Sequence, residues 1–177
     1  MGFDKIFCNL RVRDALSRIS EGDMSGLTAL YNCLGRQIYA LVFSIVKEPH
    51  DAEDAMQETF AKITEKIETY RKDGNGRAWV MAIARNIAID AVRRRKQTVP
   101  LESVDYVASE GDFTAISEVN ELLQKLDETD RDIIILKIVN GFKFREISEI
   151  VGLTKAATEK RYHRALSKLK KLYTEEK

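Results

Sequence analysis

An all-α fold follows from three features of the sequence. β-branched residues occur inside three- and four-residue apolar periods rather than in alternating runs, so strand signals are nearly absent. Only two prolines, Pro49 and Pro100, interrupt the chain. At 177 residues and 44% hydrophobic content, there is material for one generous domain or two small ones. The pattern divides the chain into two small helical domains, 1–97 and 115–177, joined by a flexible linker at 98–114. The second domain carries a helix-turn-helix.

The first predicted helix runs over Ile6–Ile19, with Ile6, Phe7, Leu10, Leu16 and Ile19 as its apolar side, and stops at Ser20-Glu21-Gly22-Asp23. Leu27–Val46 is the second, where Leu30, Tyr31, Leu34, Ile38, Leu41, Val42 and Ile45 repeat at helical spacing and Pro49 closes it. His50-Asp51 offers an N-cap for a third, Ala52–Tyr70, with Glu53 and Asp54 in the first turn, where the helix dipole favours negative charge. Lys72-Asp73-Gly74-Asn75-Gly76 breaks the chain through its two glycines.

The stretch Arg77–Lys96, RAWVMAIARNIAIDAVRRRK, reads as one long helix with two faces. Trp79, Val80, Ile83, Ala84, Ile87 and Ala91 form an apolar stripe, while Asn86, Asp90 and Arg93 share a polar ridge that ends in a basic terminus. A buried face, a hydrogen-bonding ridge and basic residues suit a helix laid against nucleic acid, or an amphipathic helix with a solvated end.

From Gln97 to Thr114 the periodicity dissolves into a linker composition, with Val104, Tyr106, Val107 and Phe113 as scattered apolar residues. The last third predicts helices at Ala115–Leu126, Asp130–Val139 with Thr129 and Asp132 spaced as a capping box, Lys143–Val151 and Lys155–Leu172. The last two are separated by Gly152-Leu153-Thr154, a glycine turn followed by a capping threonine. In this pair Ile147, Ile150, Leu153, Ala157 and Tyr162 would mate the helices. Lys155, Glu159, Lys160, Arg161 and Arg164 would face the major groove, wide enough to admit a helix, and its phosphates.

The net charge of +1 hides strong segregation. Glu102–Asp130 holds nine acids against Lys125, whereas Lys155–Leu172 holds seven Lys or Arg against Glu159. A near-neutral chain built this way still presents a positive face to phosphate. No run of eighteen apolar residues occurs, and MGFDKIFCNLRVRD carries charges where a signal peptide needs an apolar centre, so a cytoplasmic location is expected.

Cys8 and Cys33, each inside an apolar period, fit reduced core thiols. His50 and His163, the only histidines, share no ligand spacing with them, so no metal and no cofactor is expected. With no nucleophile-base pair, nucleophile elbow or phosphate-cradling glycine loop, an enzyme is not expected. The acidic stretch Asp51–Phe60 crowds Glu53, Asp54, Gln57 and Glu58 beside Phe60, a surface suited to a basic protein partner.

In this order and spacing, DAEDAMQETF, RAWVMAIARNIAIDAVRRRK and LDETDRDIIILKIVNGFKFREISEIVGLTKAATEKRYHRALSKL resemble the extracytoplasmic-function (ECF) sigma factors, promoter-recognition subunits of bacterial RNA polymerase. The resemblance covers most of the chain. It implies a sigma region 2 domain that binds polymerase and opens the −10 element, and a region 4 domain that reads the −35 element. It implies that Asp54, Gln57, Glu58 and Phe60 engage the clamp helices of the largest subunit of core RNA polymerase. Asn86, Asp90 and Arg93, with the loop Asp73, Gly74, Asn75 and Arg77 and with Trp79, would contact a −10 strand whose base is turned out of the stack. Promoter DNA, both double-stranded and locally melted, is thus an implied partner, and an anti-sigma factor is implied by analogy. The sequence departs from the family where Ala156-Ala157-Thr158 stand in place of Gly-Thr-Val and where Lys143 replaces a frequent Ser cap, which leaves the −35 preference open. A stand-alone helix-turn-helix regulator with a ligand-sensing or dimerising first domain is the rival reading.

Overall fold

The computed structural model describes residues 2–98 and 121–175, and the chain separates into two compact units. Residues 99–114 of the expected linker and the expected helix start at Ala115 lie outside the described residues, while Thr98 is still helical.

The first unit opens with an antiparallel pair, α1 (Gly2–Ser20) and α2 (Ser25–Val46). Between them Gly22 takes φ +86°, and the Asp23 carboxylate accepts from the Ser25 N–H at 2.9 Å; hydrogen bonds from the Ser25 side chain first and its backbone second lower the Asp23 pKa. Gly26 lets the helices meet: a Cβ there would lie 2.4 Å from the Ala15 carbonyl oxygen and 2.8 Å from Ile19 Cγ1. The buried side of α1 is Val12, Ala15, Leu16 and Ile19. Phe7 and Leu10, expected on that side, are exposed, because the buried face follows half-buried Cys8 with Val12, Ala15, Leu16 and Ile19 and leaves positions 7 and 10 off it. Tyr31 is likewise exposed, while Leu30, Leu34, Ile38, Leu41 and Val42 are fully buried.

Helix α2 is long and apolar enough to cross a membrane by composition alone, yet its apolar face is spent within the unit. Cys8 and Cys33 are free thiols, half-buried rather than in the core, and burial pushes the Cys33 thiol up.

Helix α2 does not end because of Pro49. Lys47 adopts φ +67° and its N–H returns to the Phe43 carbonyl at 2.8 Å, closing the helix in the left-handed conformation. Pro49 instead opens α3 (Pro49–Lys66), since a residue without an N–H loses nothing in the first turn. The cap is Glu48, whose carboxylate accepts from the Asp51 N–H at 2.8 Å; it is not His50-Asp51. His50 is the second residue of the helix, 3.3 Å from Asp54 one turn on. Helix α3 stops at Lys66 and a 3-10 turn, Ile67–Thr69, carries the chain to Tyr70.

Helix α4 (Gly76–Thr98) starts tightly packed, for a Cβ on Gly76 would meet Leu16 Cδ1 at 2.8 Å and the Tyr70 hydroxyl at 3.1 Å. Val80, Met81, Ala84, Ile87 and Ala88 are its buried face, and Trp79, Ile83 and Ala91 are half-buried at its margins.

In the second unit the helical residues 121–124 precede α5 (Glu128–Ile138), α6 (Phe144–Val151) and α7 (Lys155–Glu175). Helix α5 is capped by Asp127, whose carboxylate accepts from the Thr129 N–H at 3.1 Å, so it begins earlier than the Thr129–Asp132 spacing suggests. Asp130 to Leu136 are all buried, the mark of an interior helix. Arg131 fastens it, donating to the carbonyls of Leu123 at 2.9 Å and Leu126 at 3.2 Å. Leu126, Ile134 and Ala165 form a small core backed by Leu123, Tyr162, Leu166 and Leu169.

Candidate nucleic-acid and protein interfaces

Three surfaces follow from these elements, two on the first unit and one on the second. On α3, burial of Ala52, Ala55, Thr59 and Ile63 turns Glu53, Asp54, Gln57 and Glu58 outward, all exposed. Phe60 is half-buried at the edge of this acidic strip, its ring centroid 5.7 Å from that of exposed Tyr31. An apolar rim beside carboxylates is suited to a protein partner carrying basic and apolar groups.

On α4 the buried face fixes the opposite one, so Asn86, Asp90 and Arg93 stand exposed along one side. The loop before it is a tight turn. The Gly74 N–H donates to the Arg71 carbonyl at 2.8 Å, and Arg71 pairs with Asp73 at 3.2 Å, which lowers the Asp73 pKa through that hydrogen bond. Asn75 caps α4, its Oδ1 accepting from the Ala78 N–H at 3.2 Å. Trp79 packs on Tyr70 with centroids 5.3 Å apart, and burial raises the Tyr70 pKa.

Of the eight residues expected here, Arg77 is set apart from the ridge and the loop. It is 4% exposed and donates from Nη2 to Gln37 Oε1 at 2.8 Å, tying the start of α4 to α2. Its place in the first turn of α4, two residues after the Asn75 cap, turns it inward, where the family resemblance implies a contact with the −10 strand.

In the second unit, Gly152 takes φ +70° and ends α6, and Thr154 Oγ1 accepts from the Ala157 N–H at 3.2 Å to start α7. The turn and the cap are the ones the sequence indicates. Lys143 begins α6 through its backbone, the N–H donating to the Glu146 carboxylate at 2.6 Å, so the missing Ser cap is half replaced. Ile147 and Ile150 are buried, Leu153 and Ala157 half-buried, and Tyr162 meets Phe144 edge-on at 5.3 Å.

Lys155 and Lys160 are exposed at the start of α7, and Lys155 lies 3.6 Å from Glu159 one turn on. Arg161 and Arg164 are not simply solvated. Arg164 donates from Nη2 to Asp130 Oδ2 at 2.7 Å, and this hydrogen bond raises the Arg164 pKa. Arg161 Nε stands 3.1 Å from the other Asp130 oxygen in an ion pair, and its Nη2 reaches Asp127 at 3.4 Å. Asp130 and Asp127 leave no local signal in the sequence, because they lie 31 to 34 positions upstream of the arginines they pair with.

Family profiles agree with this division. The profile for sigma-70 region 2 matches residues 30–98, and that for sigma-70 region 4 matches residues 116–169. The RNA polymerase sigma factor SigV of Bacillus subtilis (strain 168) is 30% identical over 144 residues, covering 80% of this chain and 87% of SigV. Among solved structures, CnrH in complex with the cytosolic domain of CnrY gives a TM-score of 0.78 at 23% identity, covering 93% of this chain and 98% of that one. The sigma factor RpoE in complex with the anti-sigma factor NepR from Bartonella quintana gives 0.69 at 24% identity, covering 81% and 94%.

Proposed function

The chain belongs to the ECF group of the sigma-70 family of RNA polymerase sigma factors, and from that premise we propose how its surfaces divide the work. It is a bacterial transcription initiation factor that binds core RNA polymerase and directs it to particular promoters. The acidic strip Asp54, Gln57 and Glu58, with Phe60, docks on the clamp helices of the largest subunit. Asn86, Asp90 and Arg93, with the turn Asp73 to Asn75 and with Trp79, hold the unpaired −10 strand. The start of α7, with Lys155, Glu159, Lys160, Arg161 and Arg164, reads the −35 duplex.

The work is differential binding, and the protein makes no covalent bond. Lysines and arginines neutralise phosphates, a few side chains read base edges, and the strip on α3 keeps the assembly on polymerase. Region 2 occupies residues 1–97 and region 4 residues 115–177, with 98–114 between them, and the protein acts in the cytoplasm. RpoE, held by an anti-sigma factor in its solved complex, supports extending such a partner to this chain.

The observation that carries this reading is the exposed ridge on α4, held in register by a fully buried opposite face. A duplex-only regulator has no use for it. The test is permanganate reactivity of −10 thymines on a promoter bound by core polymerase and this chain. Reactivity that depends on the chain supports the reading; none, with the DNA bound, refutes strand opening by α4.

A further inference from the structure

The carboxylate of Asp130 is 6% exposed, a position that a lone charge does not tolerate. It lies one turn inside the Asp127 cap of α5, where the positive end of the helix favours an anion. Both its oxygens face α7: one accepts from Arg164 at 2.7 Å, the other stands 3.1 Å from Arg161. Arg161 and Arg164 are three residues apart and share one side of α7. Their side chains remain 29% and 63% exposed, so each guanidinium is anchored at one edge and accessible at the other.

A guanidinium carries five N–H groups, and the contact of Arg164 to Asp130 and those of Arg161 to Asp130 and Asp127 leave the remainder for phosphate or guanine. A side chain already held in place loses less freedom on binding than a solvated one, and Asp130 also lowers the local positive charge that attracts any DNA. We propose that Asp130 is a positioning residue for −35 recognition, a buried bracket that sets the two arginines of α7 for the preferred sequence and restrains their attraction to any other. The proposal rests on the assignment of α7 to the −35 element. It concerns a residue outside the recognition helix, acting through that helix.

The test compares holoenzymes made from core polymerase and the full chain on promoter fragments that carry either a −35 sequence selected from a random library or a scrambled one. The isosteric Asp130→Asn should lower the selected-to-scrambled affinity ratio by about tenfold, the scale of one lost base contact, while raising affinity for scrambled DNA. In an Arg161→Ala/Arg164→Ala background, the same change should leave the ratio where the arginine variant put it. An unchanged ratio in Asp130→Asn, when the arginine variant lowers it, overturns positioning and leaves the −35 reading intact. No ratio in the unaltered protein overturns both.

A merely structural Asp130 would lower the melting temperature and weaken both fragments alike, which also refutes the proposal. Should Asp130→Asn fail to fold, Asp130→Glu asks the same question with both arginines intact. It keeps the charge and displaces the carboxylate by one methylene, so positioning requires the ratio to fall and a charge-only role leaves it unchanged.

Discussion

Alanine at Gly26 and at Gly35, both buried glycines of α2, should have opposite effects. Inside a helix, glycine to alanine ordinarily gains up to about 1 kcal/mol from backbone entropy. At Gly26 the new Cβ would lie 2.4 Å from the Ala15 carbonyl oxygen, a backbone atom, against a contact distance of about 3.5 Å. The α1–α2 pair would have to open by roughly 1 Å, loosening Leu16 and Ile19, and overpacking of this kind costs about 1–3 kcal/mol. The net loss of about 1–2 kcal/mol corresponds to a fall of about 5–15 °C in Tm for a domain of this size.

At Gly35 the Cβ would rest 3.5 Å from Met56 Cε and 3.6 Å from the Tyr31 ring, an ordinary contact with side chains that can yield. Gly35→Ala should therefore leave Tm unchanged or raise it. The single tryptophan, Trp79, lies in the first unit, so its fluorescence during thermal unfolding reports that unit within the full chain. An unaltered or higher Tm for Gly26→Ala would refute the account of how α1 and α2 meet.

Other outcomes follow from the same contacts. Glu58→Lys, on an exposed face, should shift Tm by less than about 0.5 kcal/mol equivalent and abolish co-elution with core polymerase; retained co-elution removes the docking role of α3. Asn86→Ala with Asp90→Ala should spare folding and polymerase binding but reduce permanganate reactivity at the −10 element, and unchanged reactivity would clear the ridge of any part in opening. Thr154→Ala deletes the cap of α7 and should cost the second unit about 0.5–2 kcal/mol, read by amide exchange along α7. Arg77→Met severs the tie to Gln37 and should destabilise the first unit, with any promoter defect following the lost stability rather than preceding it.

Much of this was legible where physics acts locally. The α4 ridge is a consequence of helical period, and Asn86, Asp90 and Arg93 are exposed where that period places them. Gly152 and Thr154 announce a turn and a cap because only certain residues perform those tasks. Legibility failed where the outcome depends on distant partners. Asp130 to Leu136 carry no amphipathic pattern because that stretch of α5 is buried on every side. Arg77 reads as a loop cation until Gln37, forty residues upstream, draws it inward. Pro49 reads as a stop, although Lys47 ends α2 and Glu48 makes the proline a beginning.

The central claim is that one chain both grips polymerase and selects its start sites. Core RNA polymerase, with and without the purified protein, transcribing a mixed library of bacterial promoter templates, tests it most directly by mapping of RNA 5′ ends. New start sites sharing a common −35 and −10 pair should appear with the protein and vanish with Glu58→Lys. Identical start-site maps with and without the protein would contradict the account.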